Sequence, residues 1–256
     1  MNTFVKYEGA GNDFILIDDR SLTFNANQVT RLCHRRFGVG ADGVVLLQPS
    51  TTSDFRMRIF NSDGTEAESC GNALRCLGRF LTDLGFPEKQ TSIETMHRSV
   101  FLSYSEGLIV VGMGEAKQTE LNLSTEHGPV HYTDTGVPHA VRFVHDITNL
   151  PIHLLGPFFR HHTLFGPKGA NANFASIQSD GIHVRTFERG VEGETLACGT
   201  GACAVASIAS KVHKISGPID IVFTGGRLRI SFEGDQIFMA GPANRVFSGQ
   251  IIDSSV

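Results

Sequence analysis

Two stretches of this 256-residue chain repeat one another, and that repeat limits what the chain can fold into. The first runs Arg58-Ile-Phe60, a loop bearing Gly64, Glu66 and Glu68, then Cys70-Gly71. The second runs Arg185-Thr-Phe187, a loop bearing Gly190, Glu192 and Glu194, then Cys198-Gly199. Twelve residues separate Arg from Cys in one copy and thirteen in the other, and each Cys-Gly opens an apolar stretch. A second matched pair, Gly9-Ala-Gly-Asn-Asp-Phe14 and Gly169-Ala-Asn-Ala-Asn-Phe174, precedes the two cysteines in the same order. Such order implies an internal duplication, with two similar halves each offering one thiol. The halves are expected at 1–117, carrying Cys70, and 118–246, carrying Cys198, with 247–256 returning to pair with the first.

Bulk properties remove several classes of function. Hydrophobic residues make up 41% and charged residues 19%, so the chain can bury a core and is not disordered. A net charge of −4 gives no electrostatic footprint for nucleic acid or an anionic membrane surface. No apolar run reaches the roughly 18–20 residues that span a bilayer, and the N-terminus lacks the basic-then-apolar pattern of a signal peptide. Five cysteines, an odd number in a chain of this length, argue against a disulfide framework and for a reducing compartment. The expectation is a soluble cytoplasmic protein acting on a small molecule, with a homodimer left open.

Hydrophobic patterning predicts strands at 14–18, 43–48 and 55–60, and a short helix at 28–36. Leu74, Leu77, Leu81 and Leu84 recur at helical spacing after Cys70, until Gly85 and Pro87 stop the run. Strands follow from Thr91 to Val111, with Gly107 and Gly112 as turns, and the polar stretch 114–126 reads as a linker. The second half is expected to supply strands at 140–144, 174–177 and 183–187, a small-residue helix at 202–212, and strands at 219–223, 227–232 and 236–239.

Gly38-Val-Gly-Ala-Asp-Gly43 matches the spacing of a dinucleotide-binding loop. That loop needs a strand before it and a helix after it, so that phosphate meets a helix N-terminus. Here the order is reversed, and a tight turn entering a strand is the better reading. The 11 histidines show no metal-ligand spacing. His139, after Gly136-Val137-Pro138, is either a loop-packing residue or a ligand contact. Cys33, Cys76 and Cys203 read as helix-packing residues.

Cys70 and Cys198 are different, because each precedes Gly and then a helix. A helix start offers unpaired N–H groups and the positive end of the dipole, which favour thiolate over thiol. The polar loop before each cysteine favours partial exposure. Disulfide exchange would place the pair close in sequence, and a cysteine hydrolase needs one thiol and a histidine base. Two thiols on duplicated halves suit inversion at a carbon, one removing a proton while the other delivers one to the opposite face. The helix starts around Gly71-Asn72 and Gly199-Thr200 can hold a carboxylate as charge grows beside it.

At these residues the chain resembles the diaminopimelate epimerase family. The matching segments are Gly9–Phe14, Phe60–Gly64 with Cys70-Gly71-Asn72, Gly136-Val-Pro-His139, Asn171, Glu188-Arg189 and Cys198-Gly-Thr-Gly201. The resemblance implies an α/β (α+β) fold of two pseudo-symmetric halves, each a curved, mainly antiparallel sheet wrapped around a central helix. It also implies an active site in the cleft between them and no cofactor or metal. Cys70 and Cys198 would be acid and base, exchanging roles with direction, in a reaction that supplies lysine and peptidoglycan precursors. Gly71, Asn72, Gly199 and Thr200 would hold the reacting carboxylate, while Asn12, Asn61, Asn171, Glu188 and Arg189 would bind the rest of the substrate. Arg189 can pair with a carboxylate and Glu188 with an ammonium. Val137 departs from the many family members that have Asn between Gly and Pro, and a racemase of wider range is the alternative. A thiol redox switch is a third reading.

Overall fold

The structure, a computed structural model, describes residues 3–68 and 70–252. Contacts divide the chain into two compact units, one running to Val111 and resuming at Gly241, the other Gly112–Ala240. The borders expected from sequence, 117/118 and 246/247, fall a few residues beyond these.

In the first unit, β1 (Thr3–Gly9) turns through Ala10 and Gly11 into antiparallel β2 (Asn12–Asp18). Both turn residues have positive φ, 56° and 84°, the geometry that matches the natural twist of a two-residue hairpin. The short helix α1 (Val29–Cys33) crosses to β3 (Gly43–Gln48), which runs parallel to β2. β4 (Phe55–Asn61) is antiparallel to β3 and meets two partners on its other edge. These are β5 (Glu66–Ala67), antiparallel at Ile59 and Phe60, and β6 (Thr91–Glu94), parallel at Phe55 and Arg56. Between them lies α2 (Gly71–Asp83), and β7 (Ser99–Ser105) and β8 (Leu108–Glu115) then extend the sheet.

The α2 helix buries Leu74, Leu77, Phe80 and Leu81, as its spacing predicts. Leu84 is the C-cap and is exposed, because the chain leaves the helix there through Gly85 at φ 88°. Gly78 lets the helix approach β8, since a Cβ there would lie 2.8 Å from Ile109.

The second unit repeats the pairing strand for strand. β9 (Lys117–Leu123) pairs antiparallel with β10 (Val130–Asp134), and β10 with β11 (Pro138–Phe143). After α3 (Ile152–Arg160), β12 (Asn171–Gln178) runs parallel to β11 and antiparallel to β13 (Gly181–Glu188). Like β4, β13 has two partners on one edge. They are β14 (Gly193–Thr195), antiparallel, and β15 (Ile219–Phe223), parallel, with α4 (Gly199–His213) between them. β16 (Gly226–Glu233) and β17 (Gln236–Gly241) follow. β18 (Asn244–Gln250) then lies antiparallel to β1, Thr3 opposite Gln250. Residues 253–256 of the segment expected to return lie outside the described residues.

Each unit buries its own apolar cluster. Ile15, Ile17, Val44, Leu46 and Phe60 are among the first, and Phe159, Phe165, Phe174 and Phe187 among the second. Two expectations are corrected, and one helix was not foreseen. The polar stretch 114–126 contains β9, whose mostly exposed side chains make it look like a linker although its backbone is paired. Gly112 lies inside β8 and is no turn. The helix α3 escapes pattern reading because Gly156-Pro157 resembles a break. Gly156 is small for packing, since a Cβ there would lie 2.6 Å from the Phe187 ring.

The second matched sequence pair also fails as a repeat. Gly9–Phe14 spans the turn between β1 and β2, whereas Gly169–Phe174 enters β12, whose counterpart is β3. The duplication rests on the cysteine frames and the pairing order.

Candidate active site

Cys70 and Cys198 are both helix N-caps. Their backbones, φ −148° ψ 119° and φ −129° ψ 111°, agree to within the scatter of one conformation, and neither side chain caps its own helix. Each carbonyl accepts the first helical bond, from Leu74 N and Ala202 N, both at 2.9 Å. Neither first turn contains an acidic residue that would claim its N–H groups. Each start therefore presents backbone donors and a positive dipole end. All five cysteines are outside disulfides.

In the first unit, Cys70 is half-buried and its Sγ lies 3.8 Å from Asn12 Oδ1. The same oxygen accepts from Asn72 Nδ2 at 3.2 Å. Gly71 and Asn72 are buried, and Asn72 Oδ1 has no hydrogen-bond partner. Asn12, Cys70, Gly71 and Asn72 are thus brought together at one helix start. Asn61 is not bonded to them. Its exposed amide donates to Thr65 Oγ1 at 3.0 Å, closing the turn between β4 and β5.

Behind Asn12 stands an ion network that sequence reading missed. Asp42 Oδ2 accepts from Asn12 Nδ2 at 2.7 Å and from Asp13 N at 3.2 Å. Arg35 pairs with Asp13 and Asp42, each at 2.8 Å, and Lys6 pairs with Asp13 at 2.7 Å. Burial resists ionisation of Asp13, but the hydrogen bonds from Arg35 and Lys6 outweigh it and hold that carboxyl far below the usual range. Asp42 belongs to the rejected Gly-x-Gly-x-x-Gly segment, which is a turn as expected: Gly40 has φ 81° and β3 follows.

In the second unit, Cys198 is buried, unlike the partial exposure expected for it, and its Sγ lies 3.5 Å from Thr200 Oγ1. Asn171 Oδ1 accepts from Arg189 N at 2.7 Å, so these two residues, both expected to bind substrate, are held together. Glu188 accepts from Thr195 Oγ1 at 2.8 Å. Among the described residues, no group of three His, Cys, Asp or Glu could hold a metal ion.

His139 is fully buried, and burial, then the Arg189 charge, pushes its pKa down to about 3. Asn173 Nδ2 lies 3.0 Å from His139 Nδ1, 3.0 Å from Ala140 O and 3.2 Å from Asn171 O. Those carbonyls only accept, so the Asn173 atom is the NH₂ and His139 Nδ1 accepts from it, leaving the ring proton on Nε2. Thr186 Oγ1 donates to Asn173 Oδ1 at 2.9 Å. The α4 helix makes room for this chain at Gly201, where a Cβ would lie 2.5 Å from Asn173 Oδ1. Asn173 and Thr186 were missed because strand alternation marks them only as inward-facing positions.

A family model described as diaminopimelate epimerase matches residues 4–119 and 131–246. A diaminopimelate epimerase from Methanothrix thermoacetophila is 40% identical over 98% of this chain and 96% of its own. One from Archaeoglobus fulgidus is 40% identical over 96% and 95%. The chain belongs to the diaminopimelate epimerase family. Among solved structures, a phenazine biosynthesis protein of the PhzF family from Bacillus anthracis shares the fold, with a TM-score of 0.79 at 18% identity over 98% of this chain and 99% of that one. The two-half architecture is therefore that of the epimerase family and of its wider fold group.

Proposed function

We propose that this chain is a cofactor-independent diaminopimelate epimerase that interconverts the LL and meso forms by two-base proton transfer at the α-carbon. The observation that carries the reading is the pair of N-cap cysteines on matched helices, in a chain of this family. One cysteine, as thiolate, takes the α-proton, and the electron pair left on carbon delocalises into the carboxylate. The other, as thiol, gives its proton to the opposite face, so configuration inverts and the two cysteines end with exchanged protonation.

The N–H groups of Gly71, Asn72, Gly199 and Thr200 hold the reacting carboxylate, where charge grows in the transition state. Asn72 Oδ1, a buried acceptor with no partner, suits the α-ammonium. Asn12, Asn61, Asn171, Glu188 and Arg189 bind the remainder, Asn61 trading its Thr65 contact for substrate. Arg189 pairs with the distal carboxylate and Glu188 with the distal ammonium. The reaction needs both thiols reduced, in keeping with a cytoplasmic setting, a small-molecule substrate and no nucleic-acid or membrane partner. The active form is a monomer or a homodimer.

The test is exchange in D₂O. Reduced protein with LL-diaminopimelate and no added cofactor should introduce deuterium at an α-carbon while forming the meso isomer. A reduced, folded protein that leaves the substrate protiated overturns the proposal.

A further inference from the structure

We propose that Asp42 is a positioning residue that fixes which end of the Asn12 amide faces Cys70. An asparagine amide has a donor end and an acceptor end, and its surroundings choose between them. At Asn12 the choice is made by a carboxylate. Asp42 Oδ2 sits 2.7 Å from one end of the amide, and only the NH₂ can occupy that place, because a carbonyl oxygen there would repel it. The same Oδ2 is held by the backbone N–H of Asp13, while Arg35 bonds the other oxygen, Oδ1. The carbonyl end of Asn12 is thereby turned toward Cys70 Sγ at 3.8 Å and Asn72 Nδ2 at 3.2 Å.

The consequence for Cys70 is chemical. A carbonyl oxygen accepts from S–H and repels a thiolate, so this amide orientation favours the protonated form of Cys70. The flipped amide would offer an N–H to sulfur and favour the thiolate instead. Cys198 has a different neighbour, the Thr200 hydroxyl, which can donate to a thiolate or accept from a thiol. Asp42 thus acts through Asn12 and touches no reacting atom. Its use in catalysis rests on the epimerase reading above, whereas the orientation itself does not.

Cys70 alkylation reports on thiolate content without substrate. Iodoacetamide modification of Cys70 and Cys198 would be followed at one pH by peptide mass spectrometry in wild type, Asp42→Ala, Asp42→Asn and Arg35→Met, each checked for folding by circular dichroism. In Asp42→Ala the amide is released, and Cys70 alkylation should quicken about threefold or more, with Cys198 unchanged. Asp42→Asn keeps a carbonyl acceptor for the Asn12 NH₂ and should restore the wild-type rate. Arg35→Met removes ion pairs but keeps the acceptor, and should also match wild type. An unchanged Cys70 rate in folded Asp42→Ala overturns the proposal. So does an Asp42→Asn rate equal to that of Asp42→Ala, which would trace the effect to lost charge. Failure of the D₂O exchange with this alkylation pattern intact would remove only the epimerase reading, and the reverse outcome only this one.

Discussion

The two halves share a strand order but differ in what lies beneath their cysteines. The shared Arg-x-Phe frame makes Phe60 the counterpart of Phe187. Pairing then equates Val44 with Ala172 and, one strand further, Ile15 with Ala140. By that register Phe14, Val45 and Ile59, all buried and apolar, occupy the places of His139, Asn173 and Thr186. On the helices, Ala73 corresponds to Gly201, three residues past each cysteine. The first half fills the space with hydrocarbon, while the second runs a hydrogen-bonded chain through it and gives up a methyl group on the helix to fit it. The lesson is that duplication preserved the backbone that holds each thiol and left the supporting side chains to diverge.

The largest effect should come from the feature the halves share. Cys70→Ala and Cys198→Ala should each lower epimerisation by at least about 10³-fold, measured by chiral chromatography, since under the proposed mechanism each removes an acid or base with no substitute. Substantial activity in either variant would break the equivalence of the halves.

Asn173→Val installs the first half's residue in the second. It strands His139 Nδ1 and the Thr186 hydroxyl, and should cost about 2–4 kcal/mol of stability in urea unfolding. A neutral result would show that the polar chain carries no stability. Gly201→Ala copies Ala73 and should cost about 1–3 kcal/mol, because the new methyl meets Asn173 Oδ1. Coupling of the two costs, with Gly201→Ala tolerated better beside Asn173→Val, would show by double-mutant cycle that they form one substitution.

His139 predicts a pH dependence that Phe14 has no means to produce. Its folded pKa is about 3 against an ordinary 6.5, so between those values the unfolded chain takes up a proton that the folded one refuses. Stability contributed by this group is complete above pH 6.5 and falls as pH drops toward 3, with a slope approaching about 1.4 kcal/mol per pH unit. His139→Phe should flatten that slope in denaturant titrations across the window. The smallest effect concerns Val137, which the same register pairs with Asn12. Val137→Asn should lower KM for diaminopimelate about two- to fivefold by adding one hydrogen bond, and an unchanged KM would detach this turn from substrate binding.

Much of this was readable from sequence because the signals were local. A cysteine followed by glycine and a leucine repeat marks a helix start, and the strand cores at 43–48 and 219–223 end where their apolar runs end. What escaped depended on pairing and side-chain contacts that the hydrophobic pattern does not mark. β9 is polar and mostly exposed, and only its pairing with β10 makes it a strand. Asp42 matters through Asn12, thirty residues earlier, and Asn173 through His139 and Thr186. The resemblance between Gly9–Phe14 and Gly169–Phe174 misled for the same reason, since similar turns can open non-equivalent strands.

The strand that borders each sheet has a further consequence, for the order of assembly during synthesis. In the second half that strand is β9, which precedes its partner β10 by one short turn, so this half draws on continuous chain. The first half takes its border from β18, which a ribosome makes after every other strand. Nascent chain can therefore finish the later half first, while the earlier one waits with β1 uncovered on one edge. The half that emerges first is the last to close.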